Sequence, residues 1–420
     1  PLAGFISVVF LGHLADINQL AGVSLGSILF DYMYFCLNFL RLVTTGMTAI
    51  AIGQNDRKDM VLVGIRNCLI ALGLGILILF LHNPLGNLGF ALLSATPEVK
   101  SAGLDYFNAR IWGAPAVLLN YVIVGWFLGQ EKGGRVLLMT IVFNVANILQ
   151  DYLYIIRWDW SSTGAGISAG VSQYLMLLTG LFFMYREISF KDIREFISQS
   201  WNLSSFQYTF ALNGNLFIRS LIIAFTYAIF SSLSATMGTL VLAENALLLQ
   251  VVLLTIDIFY GIGLTTTALT GIFKGEKAEH KYLPLLQVSV GTSFLVGFTC
   301  ATVCILFPQT IFRLLTNHNE VIELVKVYVP WLLLVLGPAS ISLILEGYFT
   351  GLAEGNTLRN TFLISLIFGF IPLALLTWYY HINHFLWLAM SMFMLIRMVV
   401  LGIQLPRTFG SNIISVSSNN

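Results

Sequence analysis

Asp151 and Asn147 stand four residues apart, which on an α-helix places them on one face, one turn from each other, and Asn144 extends the same polar stripe through an otherwise apolar run. Burial raises the proton affinity of a carboxyl group and a nearby cation lowers it. A carboxyl group whose surroundings alternate between the two can load and release a cation. The competing reading is a hydrogen-bonded contact between helices. Further charges inside apolar runs include Asp31, Arg41, Arg66, Arg219, Asp257, Glu346 and Arg397. An ionised side chain at mid-bilayer costs about 2.5–3.5 kcal/mol, so each asks for a reason. Static pairing across helices is one, and Arg66 and Arg397 read best that way. Asp31, Arg41, Arg219, Asp257 and Glu346 join Asp151 and Asn147 as candidates for cation coupling or substrate binding. Asp257 and Glu346 lie on different runs and meet only if both helices face one cavity.

The elements that must position these residues follow from composition. The chain has 420 residues, 57% hydrophobic and 10% charged, with a mean hydropathy of +0.84. A soluble globule carries about 25% charged residues, so this chain is expected in a bilayer. At roughly 20 residues per crossing there is room for about a dozen helices. Apolar runs fall at 1–12, 22–53, 60–82, 104–129, 134–156 and 164–185, then at 207–233, 239–273, 282–308, 325–352, 357–381 and 383–405. The spacing predicts a six-helix lobe over 1–185, an amphipathic surface helix over 186–205, a second six-helix lobe over 206–405 and a polar tail over 406–420. Lys and Arg are concentrated in the even-numbered connections and the C-terminal tail, twelve against four in the odd connections. Both termini are therefore expected in the cytoplasm.

The halves read as copies. An ungapped shift of 222 positions, as from Gly53 to Gly275, also brings Thr44-Thr45 onto Thr266-Thr267 and Thr48 onto Thr270. The same shift carries Gly125, Phe127, Gly129 and Gly133 onto Gly347, Phe349, Gly351 and Gly355. Glycines four apart let a second helix backbone approach closely, so the same tight contact is expected in each half. Six spans separate the copies, an even number, so they share one membrane orientation about an axis along the membrane normal. Mapping 207–233 back by the same shift runs past Pro1, and the first helix is expected to lack its opening turns.

Several chemistries are set aside. A net charge of +1 offers no excess to neutralise phosphates, so nucleic acid is not an expected partner. Cys36, Cys68, Cys300 and Cys304 sit in apolar runs and read as small hydrophobes, with neither a disulfide nor a metal site implied. Gly166-Ile167-Ser168-Ala169-Gly170 matches a nucleophile-elbow pattern but lies in an apolar helix rather than between a strand and a helix, so helix packing is the expected role. His381 and His384 have metal-like spacing without an accompanying Cys or carboxylate, and are expected to be solvated. No Walker A motif is present.

Several ordered stretches carry a resemblance: Pro1–Leu14, Phe39–Gly46, Arg110–Pro115 (RIWGAP), Gly125–Gly129, Asn147–Asp151 and Leu345–Gly347. Together the chain resembles the multidrug and toxic compound extrusion (MATE) family, in its DinF-like branch. The resemblance implies an all-α membrane protein of twelve helices in two bundles. It implies a secondary antiporter, not an enzyme, that exports organic, often cationic or amphipathic compounds against inward H⁺ or Na⁺, with no resident cofactor. By that resemblance Asn147 and Asp151 match a fifth-helix cation pair and Glu346 a tenth-helix carboxylate. The family's first-helix aspartate falls at Ser7, and its seventh-helix glutamate is absent from Asn213–Phe225, which holds Arg219 instead. H⁺ is the favoured ion, with Asp31 a replacement for the lost charge. The expected setting is a monomer in a bacterial inner membrane, with small organic cargo and lipid as partners. The rival readings are a flippase for lipids or lipid-linked sugars, which would want Arg41 and Arg219 in the cleft, and a membrane scaffold.

Overall fold

In lipid every backbone N–H and C=O must be satisfied internally, which for a single apolar run means a helix. The computed structural model describes residues 10, 17–92, 95–188, 196 and 203–409. Eleven of its helical segments are long and apolar enough to cross a membrane. Ser7, the 1–12 run apart from Phe10, most of the expected surface helix and the end of the polar tail lie outside the described residues.

The chain divides into two compact units. The first comprises Pro1–Thr48 and Arg57–Phe210, the second Ala49–Asp56 and Ala211–Asn420. The first unit holds α1 (Ile17–Leu37) and α2 (Phe39–Gly53), whose last turn groups with the second unit, then α3 (Arg57–Phe80) and α4 (His82–Leu92). It continues with α5 (Pro97–Arg110), α6 (Ala114–Gly129), α7 (Gly133–Asp151) and α8 (Ser161–Glu187). A 3-10 turn over Ile111–Gly113 joins α5 to α6, and α7 runs on through a π-helical turn, Tyr152–Arg157. Pro97 starts α5 where its missing N–H is no loss. Within this unit α8 packs on α5 and α7, α1 on α5, and α3 on α6.

After α9 (Leu203–Thr236), whose first turns group with the first unit, come α10 (Thr239–Gly275) and α11 (Tyr282–Leu306), then the short α12 (Pro308–Phe312) and α13 (Asn319–Tyr328). The unit ends with α14 (Trp331–Gly351), α15 (Gly355–Ile364), α16 (Ile371–Tyr380) and α17 (Asn383–Gln404). Here α14 is the hub, packed on α10, α11 and α17, and its Leu332, Val335, Leu336, Ala339 and Leu343 face the core. The run expected over 325–352 is a correction. It is two helices, α13 and α14, parted at Val329–Pro330, because Pro330 cannot donate the backbone bond that would continue α13. Helix α4, between the third and fourth apolar runs, was not expected from the sequence.

The duplication shows in the backbone. Among the described residues, six of the seven non-glycine residues with positive φ fall into three pairs, each separated by the shift of 222: Asn55 with Lys277, Glu131 with Ala353, and Asp159 with His381. A left-handed residue closes a helix C-terminus, and it is disfavoured for any residue with a Cβ. Its recurrence at matching turns marks a shared chain path. The glycine series recurs in space too. A Cβ on Gly125 would sit 2.5 Å from the Arg41 carbonyl oxygen, and one on Gly347 would collide with the carbonyl of Gly263, the position equivalent to Arg41.

Candidate functional site

In the first unit, Asp151 and Asn147 are fully buried on the inner face of α7, while Leu137, Ile141, Val145 and Leu149 expose the opposite face. The polar stripe therefore faces α8 rather than the outside. Asn147 Nδ2 donates to Ser168 Oγ at 2.7 Å, and that hydroxyl donates back to the Asn147 carbonyl at 3.1 Å. Ser168 is the centre of the Gly166–Gly170 stretch. The flanking glycines let α8 approach α5 and the adjoining turn: a Cβ on Gly166 would stand 2.6 Å from the Tyr106 carbonyl, and Gly170 lies against Gly113. Packing on one side thus brings Ser168 under Asn147 on the other. Asn144 is half-buried and donates to the Thr140 carbonyl. Asp151 is the last residue of α7 before the π-helical turn, a distortion that recurs at functional sites.

A separate cavity of about 530 Å³ opens in the same unit. Asp31, Tyr34, Asn38 and Arg41 line one wall, Arg110, Asn120 and Tyr121 another, and Thr140 and Gln173 a third. Two sequence candidates, Asp31 and Arg41, therefore share a space, whereas Asp151 and Asn147 are not among its lining residues. The Arg41 guanidinium lies 6.0 Å from the Tyr121 ring centre. Asn120 is held by Gln173, its amide donating to the backbone carbonyl at 2.9 Å and to Oε1 at 3.0 Å.

In the second unit, Glu346 on α14 is buried between two arginines. Arg397 Nη2 of α17 donates to Oε2 at 2.7 Å, and Arg219 of α9 pairs with Oε1. Both guanidinium groups lie over the Phe362 ring, at 5.2 Å for Arg219 and 4.2 Å for Arg397. Both Glu346 oxygens are paired, and that attraction offsets part of the desolvation that burial imposes, while Arg219 Nε and Arg397 Nε have no hydrogen-bond partner. Asp257 is exposed and shares no ion pair or hydrogen bond with Glu346 among the described residues. Arg66 pairs with Asp59 at 3.3 Å. His384 is exposed, yet it is not simply solvated: Trp331 Nε1 donates to its Nδ1 at 3.0 Å, and its ring packs on Tyr328.

Comparison with known proteins decides the lineage. The MatE family model matches residues 1–153 and 216–376. The chain belongs to the MatE family. This MatE protein is similar to DNA damage-inducible protein F of Escherichia coli, with 27% identity over 94% of this chain and 86% of that protein. It is also similar to the probable multidrug resistance protein NorM of Thermotoga maritima, with 21% identity over 89% of this chain and 81% of that one. Among solved structures, MATE in the bent conformation superposes with a TM-score of 0.86 at 17% identity, covering 100% of this chain and 93% of that chain. A MOP superfamily transporter from Pyrococcus furiosus, for which a reverse polarity of the binding pocket has been described, gives a TM-score of 0.84 at 18% identity over 97% of this chain and 91% of that chain. The MatE fold is thus a two-bundle, twelve-helix membrane fold, and the protein is a multi-pass membrane transporter of an efflux family rather than an enzyme.

Two buried or cavity-lining charges of this MatE protein escaped the sequence reading. Arg110 lies within the run expected over 104–129 and Glu244 within that over 239–273, so the criterion of a charge inside an apolar run would have found both. Glu244 is buried beside Asn245, and Asn383 Nδ2 donates to its Oε2 at 2.9 Å. Asn245 in turn accepts from Trp387 Nε1 at 2.7 Å.

Proposed function

We propose that the protein is a secondary active antiporter that exports small organic, amphipathic compounds against an inward flux of H⁺ by alternating access. The observation that carries this is Asp151: a carboxyl group buried in a membrane-spanning helix of a MatE chain, on the face that also holds the Asn147–Ser168 hydrogen-bond pair. An intramembrane carboxyl group persists against its insertion cost where it serves ion traffic. H⁺ is favoured over Na⁺ because the acids that would help neutralise a metal ion are missing where the family resemblance points to them, at Ser7 and within Asn213–Phe225. One charge moving through 100 mV supplies about 2.3 kcal/mol, equivalent to roughly a fifty-fold gradient of a neutral compound. A single proton per cycle is then sufficient drive. The connections rich in Lys and Arg, and both termini, lie on the cytoplasmic side of a bacterial inner membrane.

The test is Asp151→Asn in inverted vesicles. Substrate uptake driven by a pH gradient should vanish while the protein inserts and folds as before, and a Na⁺ gradient should drive neither form. Undiminished pH-driven uptake by Asp151→Asn refutes the assignment. A second reading, flipping of a lipid-linked sugar, draws on Arg41 lining a cavity. It loses half of its basis because Arg219 is committed to Glu346.

A further inference from the structure

The cavity of the first unit carries charged groups among its described lining residues. Arg41 and Arg110 line it against one carboxylate, Asp31. Asp31 is exposed and makes no ion pair among the described residues, so it acts on Arg110 only through space. Arg110 makes none either. Its Nη1 donates to the Tyr106 hydroxyl at 2.5 Å, and its plane lies against Phe30, 4.6 Å from the ring centre. A guanidinium carries five N–H donors in a rigid fork, and here aromatic packing holds that fork in place with most donors uncommitted. Within the membrane-spanning part of a protein, a cation without a matched anion is costly. Two buried polar atoms beside it are also unfilled: the Tyr34 hydroxyl and Asn120 Oδ1 have no hydrogen-bond partner. The hydroxyl can donate. The amide oxygen can only accept, because both N–H groups of Asn120 are directed at Gln173.

We infer that this cavity binds the carboxylate of a small amphipathic organic acid, with Arg110 as the residue that selects for negative charge. A carboxylate presents two oxygens in the plane and at the spacing that the guanidinium fork accepts. Tyr34 supplies a third donor to the same group, and Arg41, which lines the same cavity, adds favourable potential. Asn120 Oδ1 meets a donor on the body of the compound. A volume of about 530 Å³ falls within the roughly 300–1,000 Å³ of small-molecule sites. An acidic cargo presupposes the export proposed above, so binding is measured apart from transport.

The experiment uses the purified full chain in detergent and two probes with the same ring system and opposite charge, 1-naphthoate and 1-naphthylmethylammonium. Wild type should bind the naphthoate more tightly than the cation. Arg110→Gln should weaken naphthoate binding by about tenfold or more, the worth of charge-assisted hydrogen bonds, and should leave or improve binding of the cation. Arg110→Lys should recover part of the loss, since it restores charge without the fork. Tyr34→Phe keeps the ring under Arg110 and should weaken the naphthoate only a few-fold, about the worth of one hydrogen bond. Equal or tighter binding of the cation to wild type overturns the inference. So does naphthoate affinity that is unchanged in both Arg110→Gln and Tyr34→Phe. Selective naphthoate binding without any gradient-driven transport would remove the exporter and leave this site standing.

Discussion

The cavity walls of the first unit and the equivalent positions of the second share one backbone and opposite contents. Arg110, Asn120 and Tyr121 line the open space of the first unit. The shift of 222 carries them onto Leu332, Ser342 and Leu343, all buried in the packed interior of the second. In reverse, Glu346 corresponds to Val124, a lining residue of that cavity, and Arg397 to Leu175, so neither charge is repeated at its equivalent position. A duplicated helix scaffold therefore keeps its contacts through glycine and left-handed turns, while side-chain identity decides whether these equivalent positions enclose space or are filled. The polar residues that line the cavity of the first unit, Arg41 and Arg110 with Asp31, Tyr34 and Asn120, surround open space. Those of the second are spent on one another.

The largest expected effect tests that difference directly. Glu346→Ala leaves Arg219 and Arg397 buried without a counter-charge, which costs about 3–5 kcal/mol and should appear as a sharp fall in thermal stability in detergent. Replacing all three charges together, as Glu346→Met with Arg219→Met and Arg397→Leu, should restore most of it. If the single and the triple variants unfold alike, the triad is not the self-satisfied unit described here. Asp151→Asn makes the contrasting case, with stability close to wild type and pH-driven transport lost.

A smaller effect probes what the copies share. Gly125→Ala and Gly347→Ala each push a methyl group into a facing backbone carbonyl, and such overpacking costs about 1–3 kcal/mol. Thermal unfolding should fall by similar amounts in both. A loss in only one would show that the duplicated glycines no longer serve one contact. The smallest effect belongs to Ser168→Ala, which removes the acceptor of Asn147 at a cost of about 1 kcal/mol. The melting temperature should drop slightly, and the pH dependence of transport should move because the face beside Asp151 has changed. An unmoved pH profile would separate the Asn147–Ser168 pair from the ion site.

Much of this was legible in the residues. Uninterrupted apolar runs give helices because lipid offers the backbone no other partner, and the glycine register exposed the duplication before any contact was known. The polar stripe of Asn144, Asn147 and Asp151 was readable from helical periodicity, and its inward direction followed from the cost of facing lipid. The split of α13 from α14 was harder to read, because apolar side chains continue across Pro330 and hydropathy does not register a missing backbone donor.

Which charges meet was beyond that reading. Glu346, Arg219 and Arg397 lie on three helices, and nothing in their spacing says that they converge or that Asp257 stands apart. Ser168 looked like packing filler because its partner is twenty-one residues away on another helix. Arg110 became a candidate only once Tyr34, Asn120 and Arg41 were seen around the same space. Periodicity and transfer cost act along the chain, so sequence alone determined the apolar runs that become helices and their duplication. Pairing, cavity and charge balance depend on distances between helices, and these are set by side-chain packing in three dimensions.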